Sequence, residues 1–140
     1  MIWTVVLEDQ VLFRLGVKTA FKDNPDIRVA GEANGGADLF RVLARRRADV
    51  ALLGVNQSNH TECVDVAHRL RNDYPNMKIL AMAGEDTGKS VQSMMQAGIN
   101  GYIGKRQAGR DELVKAIRKV AAGGEYIGKI ENSFKSLVSS

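Results

Sequence analysis

A single cysteine, Cys63, stands in this chain of 140 residues. One thiol excludes an intrachain disulfide and a cysteine-built metal centre. Its neighbours read as helix, where it serves as a small apolar residue. Aromatics are scarce, at 6% of the chain, so a core must come mainly from Ala, Val, Leu and Gly, as in an α/β sandwich. Proline occurs only in Asn24-Pro25 and Tyr74-Pro75, each placed as a break between periodic segments. No apolar run approaches the ~20 residues of a membrane-spanning helix. The N-terminus reads as a strand, not as a basic region followed by a hydrophobic one. We expect a cytoplasmic protein with no membrane partner. The length suits one domain, by the prior of roughly 100–200 residues per domain.

The formal net charge is +4 and the sequence pI is near 9.4. The densest basic run, Arg45-Arg46-Arg47, falls at the end of a predicted helix, where cations complement the macrodipole. A nucleic-acid surface is the alternative. The absence of interleaved aromatics and of a recognition helix speaks against it.

Apolar periodicity predicts strands near residues 2–7, 27–33, 49–53, 77–82 and 101–103. It predicts helices near 11–22, 36–46, 62–72, 87–97 and 110–122. Gly35-Gly36, Gly98 and Gly123-Gly124 punctuate element ends. Regular βα alternation argues for a parallel sheet covered on both faces. Five such strands suit a flavodoxin-like three-layer sandwich of order 2-1-3-4-5, whose ligands gather at the carboxyl ends of the strands. Three features project to that edge. Glu8-Asp9 follows Val5-Val6-Leu7, Lys105 follows Gly101-Tyr102-Ile103-Gly104, and Gly54 ends the run Val50-Ala51-Leu52-Leu53. Two acids and a lysine make half of a phosphate-and-metal site. A third carboxylate is missing.

These stretches resemble the response-regulator receiver domain, closest to its NarL/LuxR class. The resemblance rests on Leu7 to Gly16, Ala48 to Asn56, Gln96 to Lys105 and Leu113 to Gly124. It covers residues 2 to about 128 in order and spacing. It implies that Glu8 and Asp9 match the magnesium-holding acidic pair. Lys105 then matches the lysine that engages the phosphoryl group, and Tyr102 the aromatic that rotates on activation. The phosphoacceptor aspartate falls on Gly54 and the switch Thr/Ser on Ala83. The usual Met-Pro is Gln57-Ser58. The expected product is a degenerate, phosphorylation-independent receiver and not an enzyme.

The chemistry agrees. An acyl phosphate needs a carboxylate nucleophile, and glycine has none. Magnesium wants several oxygen ligands, usually carboxylates among them, so Glu8, Asp9 and Asn56 should hold it weakly at most. No other cofactor is expected. Lys105 should pair with Glu8 or Asp9. As an exposed pair, that contact would be worth ~0–1 kcal/mol.

Residues 1–128 form the expected receiver-like domain. In residues 129–140, Ile130, Phe134, Leu137 and Val138 share one helical face. This tail reads as an amphipathic helix or the start of a linker to an effector domain. The expected partners are a second copy of the chain and a regulatory protein or small ligand at the face of the fourth helix, fifth strand and fifth helix. DNA would be reached only through a domain outside this chain. A competing motif is Ala83-Gly84-Glu85-Asp86-Thr87-Gly88-Lys89-Ser90, a near P-loop with alanine for its first glycine. It would make Gly88, Lys89 and Ser90 an anion or nucleotide site.

Overall fold

In the computed structural model the described residues are 1–84, 88–105 and 109–128, with the side chains at 88–90 left aside. The elements alternate as β1 (Ile2–Leu7), α1 (Val11–Lys22), β2 (Ile27–Ala33), α2 (Gly36–Leu43), β3 (Val50–Val55) and α3 (His60–Asp73). They continue as β4 (Lys78–Ala83), α4 (Gly88–Gln96), β5 (Gly101–Gly104), α5 (Arg110–Ala121) and β6 (Tyr126–Ile127). Among the described residues the sheet has six parallel strands in the order β2-β1-β3-β4-β5-β6. The expected order 2-1-3-4-5 is therefore extended by one short edge strand. Two residues carry no readable periodicity, which is why the sequence does not announce β6.

Alternate strand residues face opposite helical layers, as the two-residue strand period requires. Val5, Leu7, Leu53, Ile79 and Tyr102 pack with Leu39, Val66, Leu70 and Met94 of α2, α3 and α4. Val6, Leu52, Leu80 and Ile103 pack with Val17 and Phe21 of α1 and with Leu113, Ile117 and Val120 of α5. Each fully buried large aliphatic contributes about 1.5–3 kcal/mol, so the central strands anchor the domain.

Local chemistry fixes the element ends. Gly98 (φ 92°) and Gly123 (φ 94°) occupy the left-handed region after α4 and α5. Gly123 N donates to Val120 O and Gly124 N to Lys119 O, while Gly98 N donates to Met95 O and Ile99 N to Met94 O. Both ends are Schellman caps, which need a residue free of a Cβ penalty. α5 carries Asp111 and Glu112 in its first turn and Arg118 and Lys119 in its last, matching its dipole. α2 ends at Leu43, three residues short of the expected 46, because Arg45 N turns back to Val42 O at 3.0 Å and tightens the last turn. Arg45-Arg46-Arg47 therefore lies beyond the helix.

Candidate functional site

The carboxyl ends of β1, β3, β4 and β5 bring Glu8, Gly54, Ala83 and Lys105 together. Gly54 lies inside β3, one residue before its end, because the apolar β-branched Val55 continues the ladder opposite Ala83. Lys105 N donates to Ala83 O at 2.7 Å, which fixes the lysine backbone beside β4.

Glu8 does not face solvent. A Cβ built on Gly54 would collide with Glu8 Oε1 and come within 2.8 Å of Glu8 Cδ. The Glu8 carboxylate thus fills the space beside Gly54 that a side chain at position 54 would need. Lys105 Nζ lies 2.7 Å from Glu8 Oε1, and the two side chains are 8% and 2% exposed. The contact is an ion pair without a well-aligned hydrogen bond at Oε1. Glu8 Oε2 accepts the Gln10 N–H at 2.9 Å. Lys105 Nζ also sits 4.3 Å from the centre of the Phe13 ring, a cation–π contact. The expected exposed pair is therefore a buried one. The contact comes from burial of the carboxylate over a glycine, which no local pattern around Glu8-Asp9 signals.

Asp9 stays exposed, and its two oxygens accept from Asn56 Nδ2 at 3.1 and 3.3 Å. The loop after β3 is braced by Asn59, whose role sequence reasoning missed. Asn56 N donates to Asn59 Oδ1 at 2.7 Å and Asn59 N to Asn56 Oδ1 at 2.9 Å. Asn59 Nδ2 donates to Gly54 O at 2.9 Å. The only available signal was two asparagines three apart in a loop, a spacing suited to local side chain–backbone bonds. Cys63 lies beneath, buried, with its Sγ 3.8 Å from Gly54 O. Burial, reinforced by the carboxylates of Glu62, Asp9 and Glu8, pushes its thiol up to about 12.

The donor set does not suit magnesium. One carboxylate is committed to a lysine and a backbone N–H, the other to an amide, and position 54 offers no side chain. No group of three acidic, histidine or cysteine side chains able to hold a metal occurs among the described residues. Ala83 is buried and brings no hydroxyl to the site. Tyr102 is 1% exposed and packs in the α2–α4 layer with Ala83, Val91 and Met94. The backbone of Gly88, Lys89 and Ser90 opens α4. Residues 85–87 and the side chains of that alternative anion site lie outside the described residues.

Residues 4–118 match the response regulator receiver domain. The chain belongs to that family. It is 31% identical over 127 residues to the response regulator GacA of Pseudomonas aeruginosa, covering 91% of this chain and 58% of the relative. To the transcriptional regulatory protein DegU of Brevibacillus brevis it is 29% identical over 123 residues, covering 88% and 51%. The chain thus spans about half the length of these curated relatives. Among solved structures, the isolated receiver (REC) domain of RcsB from Salmonella enterica serovar Typhimurium in the apo form superposes with a TM-score of 0.85. It is 15% identical and covers 100% of both chains. A LuxR family DNA-binding response regulator from Silicibacter pomeroyi gives 0.77 at 24% identity, covering 95% of this chain and 99% of its own. At these identities the structures establish the fold alone. The chain is a receiver domain of two-component signalling, related to transcription regulators. No helix among the described residues is long and apolar enough to cross a membrane.

Proposed function

We propose that this receiver works without phosphorylation, as a regulatory and dimerisation module that controls transcription through a DNA-binding domain outside this chain. The observation that carries the proposal is the Glu8 carboxylate. It fills the space over Gly54 and engages Lys105, so the lysine already has its anion. Buried Tyr102 beside Ala83 supports a face of α4, β5 and α5 held in one state, to be set by a partner or ligand. Such a ligand acts only through differential affinity for two states. The dimer has an apolar surface to draw on. Val11, Leu12 and Leu15 of α1 are exposed beside a groove of about 370 Å³ that Phe13, Val17 and Leu113 line.

The test is treatment with acetyl phosphate or beryllofluoride in the presence of magnesium. Intact mass, oligomeric state and partner affinity should not change. A stoichiometric acid-labile phosphoryl group, or phosphodonor-dependent dimerisation in a sedimentation experiment, would overturn the proposal.

A further inference from the structure

The opposite edge of the sheet carries a cleft of about 620 Å³, within the size range of small-ligand sites. Arg45, Arg46, Arg47 and Lys78 line it, against one carboxylate, Asp49. None of these four cations takes part in an ion pair among the described residues. The C-terminal ends of α2, α3 and α5 meet here, through Ala44, Tyr74 and Ala121. Each helix end presents roughly half a negative charge. Three such ends offset only part of the cationic excess, so helix-end solvation does not account for all four side chains. The neighbouring Arg71 makes the contrast. It is spent on structure, donating to Gly98 O, Asn100 Oδ1, Pro75 O and Met77 O.

The rest of the lining is mostly apolar, with Asn76 as its polar exception. Leu43 and Met77 are buried. The Tyr74 ring stacks on Phe40 at 6.5 Å and 24°, and Arg69 lies over Phe40 at 3.7 Å, so the tyrosine is held as a platform. Guanidinium forks match phosphate oxygens bidentately, and a fixed aromatic suits a planar base. A concave pocket at one end of a domain fits a small anion better than the backbone of a duplex. From this we propose that the cleft binds a nucleoside di- or triphosphate, its phosphates on Arg45, Arg46, Arg47 and Lys78 and its base on the wall of Tyr74 and Met77. The site is independent of the Glu8–Lys105 pair at the other edge.

Trp3 is the single tryptophan, and its backbone is bonded to Asp49 of the cleft. Trp3 N donates to Asp49 Oδ2 at 2.9 Å and Asp49 N to Trp3 O at 2.7 Å. ATP and GTP would be titrated at low salt, followed by tryptophan fluorescence and equilibrium dialysis, with pyrophosphate and adenosine as controls. We expect saturable nucleotide binding in the micromolar range, weakened roughly tenfold or more by Arg46→Gln combined with Lys78→Gln, since charge-assisted phosphate contacts are among the strong ones. Lys89→Ala should leave it unchanged. Loss of binding in Lys89→Ala with none in the Arg46/Lys78 variant would overturn the proposal and move the site to α4. Pyrophosphate binding as tightly as the nucleotides would mean an adventitious ion only. Absence of saturation below millimolar concentration would dismiss the site.

Discussion

Replacing Lys105 with methionine isolates the pair at the centre of the site. Methionine keeps most of the apolar stem against Phe13 and removes the charge that faces Glu8 at 2.7 Å. Glu8 is then a carboxylate at 2% exposure with no cation opposite it. Breaking a buried pair from one side costs about 3–5 kcal/mol, against ~0–1 for an exposed one. That is a large part of the 5–15 kcal/mol typical of a domain. Urea unfolding followed by Trp3 fluorescence should show an unchanged slope and a midpoint lower by roughly 2 M. Adding Glu8→Gln removes the orphaned charge and keeps an acceptor for the Gln10 N–H, so the double variant should recover much of the loss. The double-mutant cycle then gives a coupling of roughly 1–3 kcal/mol. A Lys105→Met variant within about 1 kcal/mol of the parent, or a cycle with no coupling, would refute the burial argument.

Gly54→Asp must push Glu8 off its lysine, so stability should fall by about 1–3 kcal/mol in denaturant titrations, and added magnesium should restore part of it by engaging three carboxylates. The same variant should not dimerise on phosphodonor in sedimentation runs, because Ala83 lacks a hydroxyl whose bond to a charged oxygen is worth roughly 1.5–3 kcal/mol; Gly54→Asp with Ala83→Thr should go further. Asn59→Ala leaves Gly54 O and Asn56 N short of partners and should cost about 1–3 kcal/mol by thermal or urea unfolding. Cys63 is held protonated in the fold, up to about 12, against an ordinary value of 9.0. Its contribution to stability is full below pH 9.0 and declines as pH rises toward about 12, so Cys63→Ala should lose less stability than the parent over that window in pH-dependent unfolding.

The layers were legible because their signals are long. Strand and helix cores follow periodicities of four to fourteen residues, and the glycines after α4 and α5 announce left-handed caps. The gathering of Glu8, Gly54 and Lys105 at one edge followed from strand order. What the sequence hides is direction and depth. Glu8-Asp9 reads as two like acids, yet one turns in over Gly54 and the other stays in water beside Asn56. That choice depends on a vacancy contributed by a residue 46 positions away. Arg71 and Asn59 were invisible for the same reason. Each satisfies carbonyls or amides that only the assembled loops bring near.

The short sixth strand also has a mechanical meaning. Ile127 lies opposite Tyr102 in a parallel ladder, and Gly128 N donates to Tyr102 O at 2.8 Å. β6 therefore runs, up to Gly128, toward the edge that holds Lys105. A pull on β6 along its length would load this ladder in shear, and its first bearing point is the backbone of Tyr102. A twist of β5 would in turn be delivered directly to β6. Lys105 and Gly128 follow neighbouring strands, so a displacement of one is felt by the other through a single ladder.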